Sequence, residues 1–440
     1  MIYVLNKEGN PIMPTKRHGK VRHLLKEGKA MIVCYSPFTI KLLYDSTCYT
    51  QEVSLGVDAG SKTIGLSATT STKELYASEV ELRCDITKLL ATRSENRKAR
   101  RNRKTRYRKA RFKNRVSTKK KGWLAPSVRH KIDCHVAVIE KVVKILPISQ
   151  IVIEVASFDI QKIKNPDIEG EGYQKGKKLH FWNVREYVLF RDNHTCQCCK
   201  GKSKDKVLNV HHIESRKIGG DAPNNLITLC ETCHSGYHKG TVSLPKSIKR
   251  GMKFNDASFM GIMRWAFYNR VKETYEKAGV KVSLTYGYIT KNMRIENGLA
   301  KEHFVDARCI SGNPNAEPLG KVYYQKKVRR HNRQIHKSTI LKGGYRKRNQ
   351  AEYLVKGFRL FDKVLYDGEE YFVFGRRKSG LFDIRKLNGE KVKNGSISYK
   401  KLQFKEARKG YLIEEREVAV HEGRLLPPPK GSGFPPCAVS

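Results

Sequence analysis

Acidic residues are scarce in this chain. Its 440 residues hold 42 Asp and Glu against 88 Lys and Arg, a net charge of +46. A globular protein with that surplus repels itself unless a polyanion neutralises it, so it is not expected to stand alone. Nucleic acid is the expected partner, through phosphate contacts and counterion release. Long apolar runs are also missing. Nothing approaches the roughly 20 consecutive apolar residues of a membrane span. There is no basic amphipathic helix with a bulky apolar face, so an anionic membrane is set aside as the rival polyanion. The opening MIYVLNKEGN has no basic-then-apolar signal pattern, and no internal repeat is visible. These absences lead us to expect a soluble, intracellular protein. Patterned cysteine is rare too. Of 11 cysteines only those at 196–199 and 230–233 form a pattern, while Cys34, Cys48, Cys84, Cys134, Cys309 and Cys437 are scattered. In a reducing compartment such a pattern suggests metal rather than disulfides. The length implies two to four domains.

Residues 1–50 read as a small unit: a strand at IYVLN, a short basic helix, then strands in MIVCYSPFTIKLLYD. VSLGVDAGSKTIGLSATT is two apolar β-rich runs joined by a Gly-rich turn, a hairpin signal. From Arg93 to Arg115 come 13 Lys or Arg and a single acid, Glu95, with neither Pro nor Gly. Nothing there breaks a helix, and no apolar stripe faces a core. A helix neutralised by phosphates on several sides fits better than a disordered tail, because the run lies mid-chain. SVRHKIDCHVAVIEKVVKIL has helical apolar spacing and QIVIEVASF reads as a buried strand. The Cys/His region spans 160–255. Residues 256–279 read as helix, VSLTYGYIT as strand, and KEHFVDARCISG opens another helix. Beyond about 320 the chain turns very basic and then β-rich, with Asp-Gly, Ser-Gly and Asn-Gly turn pairs that suggest a small barrel. LLPPPKGSGFPPCAVS, at the end, reads as a disordered tail.

Cys196-x-x-Cys199 and Cys230-x-x-Cys233 can supply four thiolates to a closed, structural zinc site. Cys198 leaves the first knuckle ambiguous, since it can replace either neighbour. Between the knuckles lie His211 and His212, whose side chains point to opposite faces of a strand and so serve different ends. The order CxxC, HH, Asn-Leu, CxxCH resembles the HNH nucleases and their ββα-metal fold. The resemblance implies that His211 and His234 bind a divalent metal and that His212 is the general base. Asn225 would hold the strand and its base histidine in place. His238 is left open between a phosphate contact and a surface histidine. A metal-binding domain without nuclease activity is the bland alternative.

Asp58 in LGVDAGSKTIG, Glu154 in IVIEV, and Asp306 in EHFVDA with His303 one turn before it are each weak signals alone. Together they resemble the RuvC-like nucleases of the RNase H fold, in which such carboxylates hold two Mg²⁺. Hard cations ask for oxygen ligands, and two metals can stabilise both the attacking and the leaving oxygen. The family allows His303 a part in activating or positioning water.

A RuvC-like core interrupted by an Arg-rich helix and then by an HNH domain resembles the IscB family, transposon-encoded RNA-guided nucleases related to type II CRISPR effectors. PIMP, Pro11 to Pro14, is close to the PLMP motif of that family's first domain, departing at Ile12. Ala59, where the family often has Pro, is another departure. The implied fold is multidomain α/β, with an RNase H-like core split in three, an inserted ββα-metal HNH domain with zinc knuckles, and a small C-terminal β-barrel-like domain. The implied domains are 1–52 (PLMP-type), 53–85 (RuvC-like, first part), 86–121 (bridge helix) and 122–165 (second part). They continue with 166–255 (HNH with linkers), 256–320 (third part), 321–420 (RNA and flanking-motif contacts) and 421–440 (tail). Arg97, Arg100, Arg101, Arg103, Arg106, Arg108, Arg111 and Arg115 would hold a long guide RNA. Arg329, Arg330 and Arg333 would contact that RNA or read a short flanking motif on target double-stranded DNA. The implied cofactors are two Mg²⁺ in the carboxylate site, one in the HNH site, and a structural Zn²⁺. A monomeric cytoplasmic ribonucleoprotein is implied, bacterial or archaeal and nucleoid-associated when on target, with HNH cutting the guide-paired strand and the RuvC-like site the displaced one. A nuclease-inactive RNA-guided binder and a guide-independent nuclease are the alternatives.

Overall fold

The computed structural model describes residues 1–102, 122–155, 183–215, 221–245, 247–248, 255–328, 335–341, 345–348, 352–392, 395–418, 420–421 and 424–425. The chain divides into two compact units, residues 158–258 and the remainder. Within the larger unit, β1 (Ile2–Leu5), β2 (Pro11–Thr15), β3 (Ala30–Tyr35) and β4 (Phe38–Leu42) form a sheet in the order β2-β1-β4-β3. Helix α1 (His18–Lys26) buries Val21 in the small core of Ile2, Val4, Ile40 and Leu42.

The central element is a seven-stranded sheet. β5 (Ser54–Ala59), β6 (Thr63–Thr69) and β7 (Glu74–Glu81) run as an antiparallel meander, with Gly60, Ser61 and Lys62 joining the first two strands. β8 (Gln150–Glu154) pairs parallel with β5, and β11 (Lys281–Thr285) parallel with β8. β12 (Lys321–Lys327) adds to β7 in parallel, and β20 (Tyr411–Glu417) pairs antiparallel with β12, giving the order β11-β8-β5-β6-β7-β12-β20. The inner strands are buried along nearly their whole length because both faces are covered. On one face lies α3 (Pro126–Val143), whose Val128, Ile132, Val138, Ile139 and Val142 are buried at helical spacing in one core with Leu55, Val57, Ile151 and Ile153. From Met260 on, α6 (Asn255–Tyr275) contributes Met263, Phe267 and Val271 to that core.

The other face carries α8 (His303–Ile310), seated on glycines. A Cβ at Gly56 would collide with the Ala307 carbonyl oxygen, and one at Gly65 with that of His303. Glycine inside a strand often marks such a close approach. α7 (Gly287–Glu296) precedes α8 and follows β11 directly. The Arg-rich run begins inside α2 (Ile86–Asn102), a helix that starts before the run does. Arg97 is exposed. Only the helical backbone of Arg100 and Arg101 is described, and Arg103, Arg106, Arg108, Arg111 and Arg115 lie outside the described residues, as do Arg329, Arg330 and Arg333.

The β-rich C-terminal part differs from the domain expected at 321–420, because its first and last long strands, β12 and β20, belong to the central sheet. Val322, Tyr324 and Leu412 are buried there. Between these strands, β13 (Ile335–Leu341) pairs with β14 (Tyr345–Arg348). β15 (Lys363–Tyr366), β16 (Glu369–Arg376), β17 (Leu381–Arg385), β18 (Ile397–Ser398) and β19 (Gln403–Glu406) then form a row in the order β18-β17-β16-β15-β19 around Val364, Val373, Phe382 and Ile384. The tail from 426 lies outside the described residues.

The smaller unit is built from α4 (Val184–Arg191), the antiparallel pair β9 (Leu208–His212) and β10 (Leu226–Cys230), and α5 (Glu231–Lys239). Asn183 caps α4 by accepting from the Glu186 amide, and Gly240 ends α5 in a left-handed conformation. Among the described residues no helix is long and apolar enough to cross a membrane.

Candidate functional sites

In the smaller unit the thiols of Cys196, Cys199, Cys230 and Cys233 all lie within 4.8 Å of one another. Cys199 Sγ and Cys230 Sγ are 3.7 Å apart. A tetrahedron with Zn–S bonds of about 2.3 Å has edges of roughly 3.8 Å, so these residues fit zinc. Burial pushes the Cys230 and Cys233 thiols up. A cation is what allows all four to deprotonate together. Cys198, half-exposed and outside the cluster, resolves the ambiguity of the first knuckle.

β9 packs against α5. His211 faces α5, where His234 and His238, one turn apart, complete a second cluster whose ring nitrogens lie within 4.8 Å. His234 Nε2 and His238 Nε2 are 3.3 Å apart. Burial, then the neighbouring His234 and His238, lower the His211 pKa to about 4, so its ring is neutral at ordinary pH. Its Nε2 is buried without a hydrogen-bond partner. Three convergent imidazoles with an orphaned nitrogen fit a divalent metal, and imidazole favours transition metals over the oxygen-seeking Mg²⁺. His238 was undecided from sequence, although its i+4 spacing from His234 was the available signal.

His212 points to the other face and pairs through Nε2 with Asp221 Oδ1 at 2.9 Å. Nothing in the sequence singled out Asp221. Asn225, fully buried, accepts from the Glu214 amide at 2.9 Å and donates to the Glu214 carbonyl at 2.9 Å, clamping the chain two residues past His212.

In the larger unit, Asp58 near the end of β5, Glu154 at the end of β8, and His303 and Asp306 in the first turn of α8 converge. His303 Nδ1 contacts Asp58 Oδ2 at 2.6 Å, and Arg294 Nε contacts Asp306 Oδ1 at 3.0 Å. Burial and then the Asp58 charge raise Glu154 to about 7 and Asp306 to about 6. For His303 burial lowers the pKa, but the hydrogen bond and charge of Asp58 outweigh it and hold the ring up to about 9. His303 and Arg294 therefore supply positive charge among mutually repelling acids. Such an assembly fits hard divalent cations, which relieve the same repulsion. A fourth acid escaped sequence reasoning. Glu79 on β7 pairs with Gly65, which pairs with Asp58, so one register row carries both acids with a side-chain gap between them. Burial raises Glu79 to about 7. Its signal was indirect, the glycine inside β6.

Two family models match the chain. Residues 2–176 match the RRXRR protein family, and residues 196–240 match the HNH endonuclease family. No curated protein matches the chain. Among solved structures, Cas9 of Streptococcus thermophilus in complex with an AGGA PAM is 14% identical with a TM-score of 0.32, over 51% of this chain and 32% of that one. The same protein with a GGAA PAM is 15% identical with a TM-score of 0.33, over 52% and 32%. The chain thus spans about a third of the length of these structures. One chain thus carries both a segment that matches the RRXRR family and an HNH endonuclease domain.

Proposed function

We propose that this chain is an RNA-guided endonuclease that cuts both strands of duplex DNA at two metal-dependent centres. One observation carries the reading: three segments far apart in sequence bring Asp58, Glu154, His303 and Asp306 together, in a chain that also bears an HNH domain. The sheet supports it, since three antiparallel strands followed by two parallel ones beside the first is the RNase H-like order. In this reading residues 53–85, 122–165 and 256–320 supply the RuvC-like core, and the Arg-rich helix cradles guide RNA. Base pairing supplies sequence specificity while the protein reads duplex shape and a short flanking motif.

At the HNH centre a divalent ion held by His211, His234 and His238 would stabilise charge on the phosphate oxygens. His212 accepts the proton of the attacking water. Asp221 occupies its Nε2, leaving Nδ1 as the accepting nitrogen and orienting the ring as a carboxylate orients a catalytic histidine. Asn225 fixes the backbone that carries it. At the other centre Asp58, Glu154 and Asp306 offer the oxygen donors, and His303 positions or activates water beside Asp58.

The test is cleavage of a strand-labelled duplex by the chain loaded with RNA encoded beside its gene. Asp58→Ala should abolish cutting of the displaced strand and spare the paired one, and His212→Ala the reverse. Loss of both cuts in either variant refutes the two-centre assignment. If only heterogeneous RNA, or none, survives a high-salt wash, the charge serves DNA directly and guidance is refuted.

A further inference from the structure

At the junction of β11 and α7 two tyrosines stand beside the carboxylate centre. Tyr286 and Tyr288 flank Gly287, the first residue of α7. Their rings are stacked, with centroids 6.2 Å apart and planes within 11° of parallel. Both are open to solvent, 38% and 66% exposed. A Cβ at Gly287 would lie 3.0 Å from Glu154 Oε1, so glycine there lets the backbone between the two rings touch a carboxylate of the centre. The rings thus begin one residue from the proposed cutting site.

Aromatic side chains bury large areas when they serve a core. Two large rings aligned and left in water serve something else, and their surroundings say what. The acids beside them repel a polyanion, so a strand entering this centre needs attraction that does not depend on its charge. Stacking provides it, because every base has a π-face and base–aromatic contact tolerates any sequence. The near-parallel planes give both rings one orientation, which successive unpaired bases of a strand can share. Lys291, exposed and three residues past Tyr288 on the same helix, supplies a cation for the accompanying phosphate. A base inside a duplex has no free face to offer, so the occupant is single-stranded.

We propose that Tyr286 and Tyr288 form a base-stacking platform that holds single-stranded DNA for the carboxylate centre. The proposal rests on the reading of that centre as a nuclease site, and it makes the two tyrosines positioning residues for the displaced strand.

The experiment uses the full chain with its RNA and a target duplex whose displaced strand carries 2-aminopurine at successive positions, with Ca²⁺ in place of Mg²⁺ to withhold cutting. Fluorescence should be quenched at one or two adjacent positions in the wild type and in Tyr288→Phe, and restored in Tyr288→Ala. In Mg²⁺, single-turnover cutting of the displaced strand should fall about tenfold in Tyr288→Ala, with the paired-strand cut and the melting temperature unchanged. Absence of quenching at every position overturns the platform, as it would if the rings served a protein partner instead. So does a double variant, Tyr286→Ala with Tyr288→Ala, that keeps both quenching and rate. Tyrosine-dependent quenching in a wild type that never cuts the displaced strand would support the platform and sink the nuclease reading of the centre.

Discussion

The two units are held together by different means. The central sheet is closed over by α3 and α6, and its core is a large apolar cluster, mostly aliphatic with Tyr76, Phe267 and Tyr275 among its members. The buried cluster of the smaller unit is Ile227 and Leu229 with Cys196, Cys230 and Cys233, more thiol than hydrocarbon. Among the described residues little apolar surface is buried in that cluster, and a metal bound by the cysteines would do part of the work of a core. The difference extends to the sites. The smaller unit gathers nitrogen and sulfur donors, and the larger gathers oxygen donors with His303 and Arg294 as internal counter-charges. One chain thus sorts soft and hard donor groups into separate units.

The largest effect that sharpens this contrast is chelation. Removing zinc, or replacing Cys230 by Ser, should abolish cooperative folding of the smaller unit, since structural zinc contributes on the order of 10 kcal/mol. The transition of the larger unit should be untouched in calorimetry. Unchanged zinc content and melting in Cys230→Ser would remove the cysteines as ligands. Next, His238→Ala should weaken divalent-metal affinity at the HNH centre by about tenfold or more, the loss that even outer-shell changes produce. Isothermal titration that finds full affinity would return His238 to the surface.

A smaller effect concerns pH. Burial lifts Glu79 and Glu154 from 4.5 to about 7, so between those values the folded protein keeps protons that the unfolded chain has released. Stability of the metal-free larger unit should therefore fall as pH rises from about 4.5 to about 7, and this contribution then levels off. His303, raised from 6.5 to about 9, extends the decline, because its stabilisation is complete below 6.5 and lost as pH rises through about 9. Glu79→Gln should remove one share of the fall, drawing the melting temperatures at pH 5 and pH 8 closer together. An unchanged gap would mean Glu79 titrates normally. The smallest effect is Cys198→Ser, which should leave stability within about 0.5 kcal/mol in denaturant unfolding. A larger loss would put Cys198 back among the ligands.

What the sequence made legible follows from what is local. Two CxxC knuckles, a histidine pair on a strand and a histidine opening the next helix lie within one short segment, and spacing alone brings them together. Asp58, Glu154 and Asp306 announced themselves less clearly, because only the sheet order joins them. Glu79 and Asp221 were not legible. The first looks like an ordinary polar residue in an alternating strand, and only the register through Gly65 aligns it with Asp58. The second lies in a loop, and its contact with His212 depends on how that loop returns. The edge of the larger sheet was also hidden. Tyr323 and Leu412 read as members of a separate C-terminal domain, yet pairing places the strand of Tyr323 against β7 and that of Leu412 beside it.

That pairing bears on how the protein is made. The central sheet takes strands from near residue 54 and from residue 417, so a ribosome must release the chain past residue 417 before the sheet is complete. Until β12 is made, β7 is a long, buried-type strand with a bare hydrogen-bonding edge, the kind of surface that pairs with neighbouring chains. A fragment ending at 320 would keep every proposed catalytic group of both centres and still be prone to aggregate. The last strands protect the nascent protein from its own kind.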